Sequence, residues 1–350
     1  MNLKNKKTTI SDIAKALNLS PSAVSKALNQ HPRISKSTRE AVEEMAAKLQ
    51  YEPNHLAAAL RKGKSYLIGI IVPAIDINFF ASVVKGIETI INQEGYNAII
   101  TQSDDLIDKE IRSVDALLNT QVDGIICSLA NATTSYDHLE KVIQKGVSLV
   151  LFDRTAANRE DISSVVIDDY QGAKEATEHL VAEGCRNILH LAGPGEILPY
   201  RLRAAGYKDV LKKHGIPVRT ELIIESHLTQ EDGSRCMLKA LESLPQIDAV
   251  FASSDHAALG AMRVLAEKGI KIPNEVALVG FSNEGFGAFV EPSLSTVDQH
   301  GTQMGEWAAK LLLEQCKQKG KEMTPQKIVL PTDLIIRSSS KKRHYTKTNT

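Results

Sequence analysis

Polar and basic side chains between residues 22 and 29 have the spacing and chemistry to contact a nucleic acid. At helical spacing the apolar residues of this stretch fall on one face, and the other face carries Ser22, Ser25, Lys26 and Asn29. Hydroxyl, amide and ammonium groups can form hydrogen bonds with base edges and with phosphate oxygens. The pattern therefore predicts a short helix that contacts DNA through its outward face.

Neighbouring helices must hold that helix in place. The sequence predicts one helix over Ile10–Leu17 and a turn at Asn18, because asparagine tolerates a positive φ. Pro21 suits the start of the next helix, where its missing N–H would be unpaired anyway. A third helix is predicted over residues 36–49, with Ser35 as its N-cap. Two short helices joined by a tight turn are the layout of a helix-turn-helix, whose second helix enters the major groove.

The charge of the chain is unevenly distributed. The 42 Lys and Arg residues balance the 42 Asp and Glu residues. Residues 1–64 nevertheless carry 12 basic against 5 acidic residues, a net charge of +7, and the remainder carries −7. A basic segment on an acidic body is expected when only one end meets phosphate. A solvated basic face accounts for the charge equally well, so the helical motif carries the argument.

From residue 66 onward the pattern is typical of an α/β protein. Short β-branched runs predict strands over 67–72, 97–101, 123–127, 147–152, 163–167, 187–192, 248–253 and 276–281. Helices are predicted between them, for example over 80–94, 170–183, 203–213 and 257–268. Nearly continuous apolar strands indicate buried parallel sheets with helices on both faces. Two sets of such units predict two similar lobes, with a ligand in the cleft beyond the carboxyl ends of the strands.

Other sequence features argue against several classes of protein. The four cysteines, at 127, 185, 236 and 316, form no CxxC pair, so neither a zinc site nor a redox motif is expected. The longest apolar run, near residues 66–75, is far shorter than the ~20 residues of a membrane span. The N-terminal residues contain no apolar signal-peptide core. We expect a soluble cytoplasmic protein without a metal or cofactor.

These motifs closely resemble those of the lactose-repressor (LacI/GalR) family of bacterial transcription regulators. The resemblance extends from Thr9 to Arg337 and rests on four stretches: TISDIAKALNLSPSAVSKALN (9–29), TREAVEEMAAKLQYEPNHLAAALRKGKSYLIGIIVP (38–73), SSDHAALGAMRVLAEKGIKIPNEVALVGFSN (253–283) and VLPTDLIIRSSS (329–340). It implies an all-α helix-turn-helix headpiece (1–53), a hinge helix and linker (54–65) and a two-lobed α/β core like periplasmic binding proteins (66–338). Residues 339–350 are expected to form a disordered basic tail. The family is usually dimeric.

The resemblance assigns DNA contacts to particular residues. Pro21, Ser22 and Lys26 match positions that read base edges, whereas the candidate phosphate contacts are Ser25, Asn29, Arg33, Ser35 and Thr38. Lys26 departs from the arginine more common in the family, which puts bidentate reading of guanine in doubt. Leu60 matches the leucine that wedges into the minor groove, and Arg61 beside it can reach the groove or a phosphate.

The resemblance also implies a cleft for a small effector. The matching positions are Phe79, Phe80, Asp153, Arg154, Arg203, Asp255, Ser282 and Gln299, with Tyr200 and Arg201 at the border. Ser282 stands where many members have an acidic residue, which weakens the expectation of a bidentate sugar clamp. We expect a transcription repressor whose effector is a sugar or sugar derivative. Sugar phosphates and purines stay open as alternatives, and so do release and promotion of DNA binding.

Two other classes of protein compete with this interpretation. An enzyme is disfavoured because the chain contains no GxSxG, HExxH, P-loop or GxGxxG motif, and GFSNEG misses the nucleophile elbow by one residue. His179, His190 and His256 do not have metal-ligand spacing. A sugar-binding receptor without a DNA-binding role is the main alternative. It would need export, for which we find no signal, and it leaves the helix-turn-helix unexplained.

Overall fold

The computed structural model describes residues 8–51, 64–156, 159–244, 246–318 and 324–342. The chain divides into two compact units, Met1–Ser65 and Tyr66–Thr350. Most of the predicted hinge segment, including Leu60 and Arg61, lies outside the described residues. Over the described ranges, no helix has the length and apolar character needed to cross a membrane.

The first unit contains the three predicted helices, α1 (Ile10–Leu17), α2 (Pro21–Leu28) and α3 (Lys36–Lys48). The turn between α1 and α2 has the expected positive φ, 52° at Asn18. The Ser20 hydroxyl accepts the Ala23 N–H at 3.1 Å and caps α2, and Ser35 caps α3 in the same way. The helices enclose a small apolar core of Ile13, Ala14, Val24, Ala27, Val42 and Ala46.

The second unit contains two lobes. The N-lobe is a six-stranded parallel sheet of order β11-β5-β4-β3-β1-β2. Its strands are β1 (Leu67–Val72), β2 (Asn97–Gln102), β3 (Gly124–Cys127), β4 (Ser148–Phe152), β5 (Ser163–Ile167) and β11 (Lys327–Leu330). Its helices are α4 (Asn78–Gln93), α5 (Ile107–Asn119), α6 (Asp137–Gln144) and α11 (Gly301–Lys317). Neighbouring residues Ile70 and Ile71 enter apolar clusters on opposite faces, which explains why the strands are apolar throughout.

The C-lobe is a four-stranded parallel sheet of order β7-β6-β8-β9. Its strands are β6 (Ile188–Ala192), β7 (Ile223–Glu225), β8 (Ala249–Ala252) and β9 (Ala277–Val279). Helix α7 (Asp169–Ala182) packs on α8 (Leu198–Lys213), and α9 (Gln230–Ser243) packs on α10 (Asp255–Glu267). The predicted class, parallel sheets covered by helices on both faces, is confirmed.

The lobes are not consecutive halves of the chain. A short antiparallel pair, β10 (Thr296–Asp298) and β12 (Asp333–Ile335), lies where the chain leaves and re-enters the C-lobe. Between these two strands the chain supplies α11 and β11 to the N-lobe, and β11 pairs with β5. Three crossings therefore join the lobes, at residues 168, 299–300 and 331–332. The periodicity of the sequence cannot assign a strand to a lobe, because the pairing of Lys327 with Ser164, 163 residues apart, is decided by tertiary packing.

Two sequence-based expectations need correction. Helix α8 begins at Leu198 rather than at residue 203, because Pro199 is tolerated in the first turn. The C-terminal tail is not disordered from residue 339, because Ser339 and Ser340 are fully buried. The Ser339 hydroxyl donates to the Leu278 carbonyl at 2.7 Å, and the Ser340 hydroxyl lies 2.7 Å from Nε2 of His179. A run of serines has the polar composition of a disordered tail. Here the hydroxyl groups of Ser339 and Ser340 form their hydrogen bonds inside the C-lobe.

Glycines allow the closest helix contact of the N-lobe. A Cβ at Gly305 of α11 would lie 2.0 Å from the carbonyl oxygen of Val83 in α4, and a Cβ at Gly86 would lie 2.1 Å from the carbonyl oxygen of Thr302. Both obstacles are backbone atoms, which cannot turn aside as a side chain can. The two helices can therefore approach this closely only with glycine at both positions.

We predict that Gly305→Ala lowers the free energy of unfolding by about 1–3 kcal/mol, as overpacking in a core does. Alanine is the better helix former by ~1 kcal/mol, so a destabilising result would mean that the steric contact prevails. Urea denaturation of the full chain measures the change. Gly285→Ala is the control, because nothing lies within 4 Å of a Cβ built there. Equal stability of the two variants would contradict the prediction.

Candidate functional site

A cavity lies between the two lobes, beyond the carboxyl ends of their strands. It encloses about 490 Å³ of empty space, part of which is open to solvent. The lining includes these residues predicted from the sequence: Phe79, Phe80, Asp153, Arg154, Arg203, Ser282 and Gln299. Tyr200 also lines the cavity, whereas Arg201 is exposed and is not among the lining residues.

Arg203 is a buried cation in the cavity wall whose charge is neutralised by the chain itself. Its Nε donates to Oδ1 of Asp169 at 2.7 Å, and its Nη1 donates to the Ser253 carbonyl at 2.8 Å. The guanidinium carbon lies 3.7 Å from the centre of the Phe281 ring. The residue is only 3% exposed, so its charge needs these partners. Burial raises the pKa of Asp169, and the charge of Arg203 opposes that rise.

Asp153 and Arg154 follow the end of β4. Asp153 has a φ of 55°, which turns the chain sharply at the cavity. Burial raises the pKa of Asp153 to about 6, and Arg154 limits the rise. Arg154 forms an ion pair with Asp105, and its Nη2 donates to the Tyr200 hydroxyl at 3.3 Å. Both guanidinium groups of the cavity are thus already paired with carboxylates of the chain.

Asp255 does not contribute to the cavity lining as the resemblance implied. Its carboxylate is fully buried, and both oxygens already accept hydrogen bonds from the chain. Oδ2 accepts the Glu284 N–H at 2.8 Å, and Oδ1 accepts the Thr296 hydroxyl at 2.7 Å. Burial raises its pKa to about 7. Asp255 therefore supports the turn before Glu284 from behind the cavity wall.

Several lining residues were missed by the sequence reasoning: Ile77, Pro199, Ser253, Ser254, His256 and Glu284. The hydroxyl of Ser253, a residue only 1% exposed, has no hydrogen-bond partner among the described residues. Ser253 and Glu284 each follow the end of a C-lobe strand by a few residues. Their position after a strand was the feature of the sequence that could have identified them as cavity residues. Over the described ranges, no cluster of His, Cys, Asp or Glu is suited to a metal ion.

The outward face of α2 is open to solvent. Pro21, Ser22, Lys26 and Asn29 are exposed, and so are Arg33 and Ser35 beyond the helix, whereas Ser25 and Thr38 are half-buried. The Asn29 amide donates to the Ser25 carbonyl at 2.7 Å, which leaves its oxygen and one N–H for a partner. The Ser35 and Thr38 hydroxyls lie 2.7 Å apart at the start of α3, so both have structural roles.

Comparison with known families covers nearly all of the chain. Residues 9–54 match the model "Bacterial regulatory proteins, lacI family", and residues 65–338 match "Periplasmic binding proteins and sugar binding domain of LacI family". The chain belongs to the LacI family of bacterial regulators. This membership explains why a helix-turn-helix and a two-lobed core occur in one polypeptide, and it makes the chain a transcription regulator rather than an enzyme.

Individual relatives agree with the assignment to the LacI family. Catabolite control protein A of Priestia megaterium is 34% identical, and the alignment covers 95% of this chain and 99% of the relative. The crystal structure of the lac repressor dimer bound to operator and the anti-inducer ONPF has a TM-score of 0.83 at 25% identity. The match covers 96% of this chain and 99% of the lac repressor chain. The complex of the transcriptional regulator CelR with cellobiose has a TM-score of 0.73 at 27% identity. The match covers 95% of this chain and 100% of the CelR chain.

We predict that ligand binding in the cavity depends on the ionisation of Asp153. A carboxylate accepts ligand hydroxyl hydrogens from every direction only when it is ionised. Because burial raises its pKa to about 6, affinity should increase as the pH rises through 6 and be about tenfold lower at pH 5 than at pH 7. Calorimetric titration of a sugar found by thermal-shift screening measures this. Asp153→Asn should abolish the slope, and a slope that survives this change would exclude Asp153 as its source.

Proposed function

We propose that this chain is a cytoplasmic transcription repressor whose affinity for operator DNA is controlled by a small metabolite. The observation that carries the proposal is the combination of two sites in one chain. One is an exposed polar face on a helix held in a helix-turn-helix, and the other is a polar, aromatic-walled cavity between two lobes. Membership of the LacI family supports the link between them.

The DNA interface is proposed to use α2 for base reading. Lys26 can donate to guanine, Ser22 can donate or accept, and Pro21 brings no donor and suits shape or methyl contact. The proposed phosphate contacts are Ser25, Asn29, Arg33, Ser35 and Thr38, which would position the headpiece without specifying sequence. Leu60 and Arg61, outside the described residues, are proposed for the minor groove.

The proposed effector is an uncharged, hydroxyl-rich molecule such as a sugar. A free guanidinium fork would favour a phosphate or carboxylate, yet Arg203 is bonded to Asp169 and Arg154 to Asp105. Asp153 and Gln299 can hydrogen bond with hydroxyl groups, while Phe79 and Phe80 offer apolar surface to a ring. The cellobiose complex of a structural neighbour supports this class of ligand.

Control of DNA binding would follow from a shift between arrangements of the lobes. An effector changes that equilibrium only by its differential affinity for the two arrangements. The coupling is reciprocal, so operator DNA must change effector affinity by the same factor. A homodimer is proposed because a two-fold protein matches a pseudo-palindromic operator, and the lac repressor neighbour is a dimer on its operator.

We predict that Lys26→Ala weakens operator binding by about tenfold to a hundredfold, which corresponds to ~1–3 kcal/mol for one good base contact. A DNA duplex selected from a random library by the full-length protein serves as the operator in a gel-shift titration. Leu60→Ala should also lose operator binding, while the sugar affinity of both variants stays unchanged. Lys48→Ala removes the same charge at the far end of α3 and is the control. If neither Lys26→Ala nor Leu60→Ala weakened binding, the headpiece assignment would be wrong.

We predict that Phe289 belongs to a dimer interface. This aromatic residue, on the C-lobe, is 90% exposed, more than any other large apolar residue among those described, and packing it against a partner would remove its apolar surface from water. Phe289→Asp should shift the protein from dimer to monomer in size-exclusion chromatography with light scattering. Leu238→Asp, at a 37% exposed apolar position in the same lobe, should leave the dimer intact. A Phe289→Asp protein that remains dimeric at equal concentration would refute this interface.

A further inference from the structure

The carboxylate of Glu284 joins the two lobes directly. Its Oε1 accepts the N–H of Phe79, and its Oε2 accepts the N–H of Asn78, both at 3.1 Å. Asn78 and Phe79 are the first residues of α4 in the N-lobe, whereas Glu284 follows β9 in the C-lobe. The residue before α4 is Ile77, whose side chain cannot cap a helix. We call these two hydrogen bonds the interlobe cap.

The C-lobe holds Glu284 in this position through a network of hydrogen bonds. Ser282 and Asn283 have φ values of 121° and 52°, so the chain turns sharply before the glutamate. Asn283 donates to Oδ2 of Asp298 at 2.9 Å and accepts from Nη2 of Arg337 at 2.9 Å. The Glu284 N–H is held by Asp255. Glu284 is only 4% exposed, so its carboxylate is directed to α4 rather than to solvent.

The interlobe cap occupies a place that favours negative charge. The first N–H groups of a helix have no partner within the helix, and the helix dipole attracts anions there. Phe79 and Glu284 both line the effector cavity. Ser253, 1% exposed, lines the same cavity, and its hydroxyl has no hydrogen-bond partner within the part of the chain that the structure describes, so it is available to a polar group of a ligand.

We propose that Glu284 is a specificity-determining residue of the effector cavity, because its carboxylate fills the anion-binding start of α4 and so excludes ligands that carry an anionic group there. The same two hydrogen bonds tie the lobes together. This inference rests on the proposed function, in which the effector binds in this cavity. It extends that proposal by naming the residue that selects uncharged over anionic effectors.

The first test measures the interlobe cap without any effector. Hydrogen exchange of the Asn78 and Phe79 amides is followed by NMR in the full chain, in Glu284→Thr and in Glu284→Gln. Both amides should be protected in the parent protein and exchange at least about tenfold faster in Glu284→Thr, which replaces the carboxylate with a hydroxyl on a shorter side chain. Glu284→Gln keeps one acceptor oxygen and should lie between them. Glu242→Gln removes an exposed carboxylate of the C-lobe and should change nothing.

The second test measures selectivity with inorganic phosphate as the probe. Glu284→Thr should bind phosphate at least about tenfold more tightly than the parent protein and the Glu242→Gln control, and phosphate should restore protection at residues 78 and 79. Unprotected amides in the parent protein, or equal phosphate affinity in all three proteins, would overturn the proposal. If no sugar binds the parent protein but the amide and phosphate results hold, the proposed effector class fails while the role of Glu284 stands.

Discussion

Charges buried between two lobes must be neutralised by the chain itself, and this constraint determines the shape of the cavity. Arg203 is bonded to Asp169 and the Ser253 carbonyl and stacked on Phe281. Leaving such a charge without its partner costs ~3–5 kcal/mol, so these contacts hold the surrounding strand ends in fixed positions. The same requirement limits the ligand, because cations that are already paired have little to offer an anion.

The connection between the lobes explains how a ligand in the cleft can influence the whole core. Three chain crossings join the lobes, and the N-lobe is completed by α11 and β11 from the end of the chain. Gln299 lies on one crossing and also lines the cavity. The Glu284 carboxylate adds a direct contact between the lobes. A ligand that favours one arrangement of the lobes must act through these same few segments.

The headpiece obeys local rules, and the sequence was therefore sufficient to predict it. Caps at Ser20 and Ser35, the left-handed turn at Asn18 and a proline in the first turn of α2 all act within a few residues. Its core is made by residues at helical spacing in three adjacent helices. The outward face of α2 follows directly from that spacing, because the inward face is already occupied.

The sequence by itself determined the helix-turn-helix and the parallel α/β class, because each of these depends on local periodicity. The resemblance of its motifs to the LacI family supplied most of the cavity residues that were named in advance. Only the tertiary structure decided that α11 and β11 belong to the N-lobe, that Ser339 and Ser340 are buried, and that Asp255 lies behind the cavity. It also revealed Glu284, whose partners are 205 and 206 residues away. Hydrogen bonds between such distant residues leave no periodic signal, since they depend on how complete lobes meet.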